Sequence, residues 1–122
     1  MKKAIGILYA LNGLSMFIVW PFLILNDQVP ELHTNLFYMS FHFLAEFITA
    51  IFCVVSGIGL LLKRQFAEEL YSVTTGFFIG AEYLAISYYL FSDLATALPV
   101  LYMLIGLNIT GLTLFIIELE KQ

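Results

Sequence analysis

Four long runs of apolar residues, separated by short polar breaks, dominate the pattern along this 122-residue chain. A membrane-spanning helix needs about 20 predominantly apolar residues, because each residue adds about 1.5 Å to a path of about 30 Å. The pattern predicts four such helices, over residues 4–25, 36–62, 70–91 and 97–118. The breaks are too short for a further domain, so neighbouring helices should be antiparallel. We therefore predict an all-α, polytopic membrane protein, a single antiparallel four-transmembrane-helix bundle over residues 1–122.

The composition supports a membrane protein and excludes several other classes. Sixty-one per cent of the residues are hydrophobic and only 11% are charged, whereas about a quarter are charged in soluble domains. The net charge of −4 argues against a nucleic-acid partner, which would require a basic face. A single cysteine excludes an internal disulfide and a cysteine-based zinc site. The expected partners are the lipid bilayer, a second copy of the chain or another membrane subunit, and a small ligand or ion.

The basic residues predict the direction of the helices, because Lys and Arg are retained on the cytoplasmic side of a membrane. All five lie at the N-terminus, in the second break or at the C-terminus: Lys2, Lys3, Lys63, Arg64 and Lys121. The first and third breaks carry only acidic charges: Asp27, Glu31 and Asp93. We expect a multi-pass protein of a prokaryotic-type inner (plasma) membrane with both termini cytoplasmic.

Strongly polar residues interrupt each of the four apolar runs at a similar depth. Glu46 and Glu82 lie near the middle of the second and third runs, and Asn12 and Asn108 lie at comparable depths in the first and fourth. An ionisable side chain at the bilayer centre costs about 2.5–3.5 kcal/mol on insertion scales, and such residues mark functional sites by default. His42 precedes Glu46 by one helical turn, which places both side chains on one face. These five residues form the predicted proton-, cation- or ligand-binding site.

Helical periodicity adds residues that line the predicted site. Thr49 and Cys53 continue the stripe of Glu46 on the second helix, while Thr75 and Tyr89 align with Glu82 on the third. Lipid offers polar groups no hydrogen-bonding partners, so the two stripes are expected to face each other inside the bundle.

Two carboxyl groups in a low-dielectric interior cannot both ionise at low cost, so at least one is expected to carry a proton. Such a site can exchange a proton for a cation. We therefore predict a small proton- or cation-coupled transporter or carrier. Four helices are few to enclose a pathway, which favours a homodimer; Gly76 and Gly80 form a GxxxG pair that offers one candidate face.

Two other functions fit the same residues. One is an accessory or binding subunit of a membrane redox complex that holds a quinone, a lipid or another hydrophobic ligand. The other is a membrane-embedded enzyme that uses a protonated Glu, although the chain has no nucleophile or metal motif. A purely structural role for the acids, as hydrogen-bonding groups between helices, is the remaining alternative.

No cofactor is predicted, and quinone, metal and haem are kept as alternatives. His42, Glu46 and Glu82 are candidate metal ligands, but the chain lacks the paired Glu-x-x-His motifs of four-helix di-iron proteins. Haem would need a second buried histidine as axial ligand, and His33 lies in a predicted loop.

The centre of the chain carries a midspan acid, Glu46, then the run Ser56-Gly57-Ile58-Gly59-Leu60-Leu61-Leu62-Lys63-Arg64, and then Phe66-Ala67 leading into the next helix. Residues 46–71 thus resemble the glycine-plus-leucine run, basic turn and following helix of DoxX-like small four-helix membrane proteins. The resemblance implies a four-helix bundle of the same topology, and some members are thought to be membrane subunits of quinone-linked or thiol-redox assemblies. His42, Glu46 and Glu82 match no feature of that group, so it implies no site residue here.

Overall fold

The computed structural model describes residues 1–90 and 98–121, apart from the side chains of Tyr88, Tyr89, Val100 and Leu101. Within these residues the chain is helical and contains no strand, which confirms the predicted all-α class. The helices are α1 (Lys2–Leu25), α2 (Glu31–Thr34), α3 (Leu36–Leu61), α4 (Phe66–Leu90) and α5 (Leu98–Leu119).

Three helices are long and apolar enough to cross a membrane: Lys2–Leu25, Leu36–Leu61 and the Tyr102–Leu119 part of α5. Their outward surfaces carry large apolar side chains such as Ile18 and Phe37, which are 69% and 77% exposed. A soluble monomer rarely exposes continuous apolar surface on this scale, so the fold agrees with an integral membrane protein. The helix α4 does not belong to this apolar group, because Glu and several Thr and Tyr residues make it more polar.

The four long helices pack in a fixed order, α1 against α3, α3 against α4 and α4 against α5. Each packed pair is antiparallel. A Cβ added to Gly6 would lie near Gly57, and one added to Gly13 would lie near Ala50, so α1 and α3 run in opposite directions. For α3 with α4, Phe52 packs against Phe77, while a Cβ added to Gly59 would lie near Ala67. For α4 with α5, Tyr71 packs against Phe115, while Glu82 bonds to Asn108. Later positions in one helix thus meet earlier positions in the other, so these two pairs are antiparallel as well.

Glycines allow the backbones of α1 and α3 to lie very close together. A Cβ on Gly57 would be 2.5 Å from the backbone nitrogen of Ala10 and 2.7 Å from the carbonyl oxygen of Gly6. Real Cβ atoms do not approach backbone this closely, so this seam accepts only glycine without a shift of one helix. The seam fixes the rotation of α3 about its axis, and therefore which of its residues face α1 and α4.

Two side-chain contacts set α4 alongside α1 with the same direction. Lys2 Nζ lies 2.6 Å from Glu68 Oε1, at the starts of the two helices. About two turns further along each helix, the Tyr9 hydroxyl lies 2.5 Å from Thr75 Oγ1. The two residues of each pair are 66 positions apart in the sequence. The two helices therefore keep a constant register, and α4 runs parallel to α1 over this stretch.

Candidate functional site

A cavity of about 500 Å³ opens between α1, the start of α2, α3 and α4. We refer to it as the aromatic cavity, because Trp20, Tyr38 and Phe41 form much of its wall. Its acidic residues are Glu31 and Glu46, His42 lies beside them, and none of the described residues in its wall is Lys or Arg. The cavity therefore combines aromatic rings with negative charge.

The His42–Glu46 pair is the polar feature of this cavity. The two side chains lie one turn apart on α3, with 3.8 Å between His42 Nε2 and Glu46 Oε1. This distance allows an ion pair when His42 is protonated, but it is too long for a hydrogen bond. Trp20 meets the imidazole edge to face with ring centroids 5.5 Å apart, and the Tyr38 ring lies nearly parallel to it at 6.4 Å. These contacts hold His42 at the wall of the cavity.

A second polar cluster, which we call the buried network, joins α1, α4 and α5. Asn108 on α5 donates through Nδ2 to Glu82 Oε1 on α4 at 3.1 Å, and its Oδ1 accepts from the Tyr9 hydroxyl at 3.1 Å. The Tyr9 oxygen also bonds to Thr75 Oγ1. Glu82 is 5% exposed, and its Oε2 has no hydrogen-bond partner within the described residues.

A smaller space of about 330 Å³, the α1–α5 groove, lies where these two helices fail to close against each other. Leucines form much of its wall, namely Leu8, Leu11, Leu104 and Leu107. Residues with polar side-chain atoms also line it: Tyr9 and Asn108 of the buried network, Asn12, Ser15 and Tyr71. The groove is thus a largely apolar space with amide and hydroxyl groups in its wall.

The two central acids lie at one level but turn to different surroundings. Ala45 and Glu46 share the cavity wall with Ala81 and Ala85, the residues that flank Glu82 on α4. Glu46 is near enough to Glu82 for like-charge repulsion. In residues 1–90 and 98–121, however, no hydrogen bond joins the two carboxyl groups: Glu46 faces the aromatic cavity, and Glu82 is turned towards Asn108.

Three of the four residues predicted to line the site, Thr49, Cys53 and Thr75, are buried and line neither of these two cavities. The hydroxyl of Thr49 donates to the carbonyl of Ala45, and that of Thr75 contacts both the Tyr71 carbonyl and Tyr9. Cys53 is fully buried in the apolar core. The side chain of Tyr89 lies outside the described residues, as does Asp93.

Comparison with known protein families places the whole chain in one group. The model of a family described as a domain of unknown function, DUF8058, matches residues 1–122. The chain belongs to the DUF8058 family. No curated protein and no solved structure matches this DUF8058 chain.

The candidate metal ligands of the DUF8058 chain are not clustered in the part of it that the structure describes. Among the residues described, no three His, Cys, Asp or Glu side chains gather as a metal-binding group, so His42, Glu46 and Glu82 are not brought together as three ligands. His33 lies on the exposed helix α2, with its Nε2 at 3.8 Å from Asp27 Oδ1, far from the core position that an axial ligand requires.

Sequence reasoning missed two contributors to these sites. Tyr9 lies three residues before Asn12 on α1, and this spacing puts both on one helix face; that spacing was the available signal. Glu31 reaches the aromatic cavity from the short helix α2, which the sequence pattern did not reveal because the segment reads as a loop.

Proposed function

We propose that this chain is a small integral membrane carrier that exchanges protons for a cation at the His42–Glu46 pair. The observation that supports the proposal is the position of this pair on the wall of a 500 Å³ cavity that holds no lysine or arginine among its described residues. Carriers place ionisable groups where they are shielded from lipid and open to a cavity. Glu46 supplies the charge that a cation requires, and His42 supplies a proton site beside it.

The pair couples the two ions by competition. An imidazole can take up and release a proton, and protonated His42 neutralises Glu46 at 3.8 Å. A cation that approaches Glu46 is repelled by the imidazolium, so cation binding favours loss of the proton. The Tyr38 ring stacks on the imidazole, and Glu31 lines the same cavity. The expected exchange is one monovalent cation for one proton, which leaves the charge of the site unchanged.

We propose that Glu82 is a protonated, uncharged acid, so that it adds no second negative charge to the interior of the bundle. An ionised carboxyl group there would have one hydrogen-bond donor, Asn108 Nδ2, for two buried oxygens. Burial of a charge with so few donors is costly, and Glu46 at the same level adds repulsion when it is ionised. Of the two central acids, only Glu46 carries a negative charge that the transported cation meets in this proposal.

The proposal includes the membrane arrangement. All four long helices cross the membrane as an antiparallel bundle, with both termini on the cytoplasmic side of a prokaryotic-type inner membrane. The constant register between α1 and α4 supports α4 as the fourth crossing, since α1 is long and apolar enough to cross. A homodimer is proposed as the working unit, because the bundle is open between α1 and α5.

The exchange is tested in liposomes that contain the purified chain, a pH-sensitive dye and an imposed pH gradient. Addition of sodium, potassium or benzyltrimethylammonium should discharge the gradient for at least one of these ions. Glu46→Gln and His42→Gln should each reduce the rate to that of empty liposomes, because the first variant loses the cation site and the second loses the proton site. Glu69→Gln, an exposed acid on α4, is the control with the same charge change. Equal rates for wild type and Glu46→Gln would contradict the proposal.

A binding subunit for a hydrophobic ligand is the second candidate, and the α1–α5 groove favours it. Asn12, Tyr9 and Asn108 present polar atoms beside a leucine-lined channel, an arrangement that suits a lipid or a quinone carbonyl. The resemblance to DoxX-like proteins also favours this candidate, because it implies a membrane subunit of a quinone-linked or thiol-redox assembly. Mass spectrometry of solvent extracts from the purified chain tests it: a stoichiometric lipid or quinone that Asn12→Leu removes would support it, together with an absence of ion exchange.

A further inference from the structure

The aromatic cavity has a wall whose chemistry identifies a class of ligand. Tyr38 and Phe41 are 47% and 60% exposed, so their rings have surface that no other part of the described chain covers. Trp20 is held edge to face against His42 and Phe43, which fixes the orientation of its indole. Aromatic faces attract cations within about 6 Å through the ring quadrupole, most strongly when water is excluded.

The charges in the same wall have one sign when His42 is neutral. Glu46 lies beside the rings on α3, and Glu31 contributes a second carboxyl group from the start of α2. An anion would meet repulsion from both, and a neutral ligand would leave Glu46 without a charged partner in a partly apolar environment. A cation is therefore the only charge type that both carboxyl groups and all three rings favour.

The cavity is built for a cation with an organic body rather than for a bare metal ion. Hard inorganic cations are held by cages of about six to eight oxygen ligands, whereas most of this wall is apolar, with Leu23, Met39 and Leu84 among its residues. The volume of about 500 Å³ falls in the range of small-molecule pockets, about 300–1,000 Å³.

From these observations we infer that the substrate class of this cavity is a monovalent organic cation with an aromatic or aliphatic body, such as a quaternary ammonium. The inference rests on the proposed function, because it names the ion that the His42–Glu46 pair exchanges for a proton. The cationic centre lies between Glu46 and the rings of Trp20 and Tyr38, and the apolar body covers the leucine and methionine side of the wall.

The chain carries its own reporter for this binding. Trp20 is the single tryptophan and lines the cavity, so its fluorescence follows occupation of the site directly. The purified chain in a maltoside detergent is titrated with benzyltrimethylammonium, with its uncharged carbon isostere neopentylbenzene, and with benzoate. Detergents and lipids with choline headgroups are left out, because they carry a quaternary ammonium themselves.

Benzyltrimethylammonium should give a saturable change in Trp20 fluorescence, with neopentylbenzene and benzoate at least about tenfold weaker. Glu46→Gln should weaken cation binding about tenfold or more, because a charge-assisted contact is lost. Tyr38→Leu should weaken it by less, and Glu69→Gln should leave it unchanged. Circular dichroism melting of each variant separates loss of binding from loss of folding. Equal binding of the cation and neopentylbenzene, or an unchanged affinity in folded Glu46→Gln, would overturn the inference.

The liposome measurement distinguishes this inference from the proposed function. Binding of benzyltrimethylammonium without discharge of the pH gradient would keep the ligand class and end the carrier proposal. Discharge by sodium or potassium, with no response of Trp20 to benzyltrimethylammonium, would keep the carrier and end the organic-cation inference.

Discussion

The side chain of Asn108 joins three helices through hydrogen bonds. Its Nδ2 donates to Glu82 on α4 and to the carbonyl oxygen of Leu104 one turn back on α5, while its Oδ1 accepts from Tyr9 on α1. An amide is the side chain suited to this position, because it offers two donor hydrogens and an acceptor at one place. A hydrophobic residue here would leave the Glu82 carboxyl group without its donor.

Replacement of Asn108 by Ala should lower the free energy of unfolding by about 1–2 kcal/mol, the upper part of the range for interhelical hydrogen bonds in membranes. Tyr9→Phe should cost about 0.5–1 kcal/mol, and the double variant should cost less than the sum, because the two side chains share a bond. Thr113→Ala is the control, since its exposed hydroxyl bonds only to a carbonyl of its own helix. Detergent-denaturation curves followed by circular dichroism give these values. Strict additivity would contradict the network.

The polar composition of the interior could be predicted from sequence, but its division into two sites could not. Glu46, Glu82 and Asn108 stand out because the hydrocarbon interior makes each of them costly. Periodicity places residues on a face of their own helix, but the direction of that face depends on packing against neighbours. Glu46 and Glu82 therefore emerged from sequence as one site, whereas the structure turns Glu82 to Asn108 and leaves Glu46 in the cavity.

The same limit applies at the scale of helices, where glycines decide which faces meet. Gly6 and Gly57 lie in the close α1–α3 seam. Gly76 and Gly80, which form the GxxxG pair on α4, have no atom of the described chain within 4 Å of an added Cβ. Small residues permit close packing wherever they occur, so the sequence alone cannot tell an occupied seam from an open one. The dimer face at Gly76 and Gly80 stays a prediction.

The seam gives a prediction for matched glycine variants. Gly57→Ala should destabilise the chain by about 1–3 kcal/mol, the usual cost of overpacking, because the new Cβ would meet backbone of Ala10 and Gly6. Gly106→Ala on α5 should be neutral or stabilising by up to about 1 kcal/mol, since alanine favours the helix and its Cβ meets nothing. Thermal melting in one detergent measures both. Equal melting temperatures would show that the seam is not closed in solution.

At the scale of the whole molecule, the number of membrane crossings depends on α4. By composition α4 is the exception among the long helices, yet its 25 residues reach about 37 Å at 1.5 Å per residue. Its polar residues Thr74, Thr75 and Glu82 are buried inside the bundle, so they lower its average hydropathy without facing lipid. Its outward residues Val73 and Phe77 are apolar and exposed. Position within the fold thus accounts for its composition.

The side of the membrane on which the C-terminus lies shows whether α4 crosses it. Four crossings place Lys121 on the same side as Lys63, whereas crossings by α1, α3 and α5 alone would place them on opposite sides. Asp27→Cys, Lys63→Cys and Lys121→Cys are therefore labelled with a membrane-impermeant thiol reagent in right-side-out vesicles; the native Cys53 is fully buried, and the wild-type chain gives the background. We expect Asp27→Cys to react at once, and the other two only after the membrane is permeabilised. Labelling of Lys121→Cys in sealed vesicles, with Lys63→Cys protected, would remove α4 from the membrane and refute the four-helix bundle.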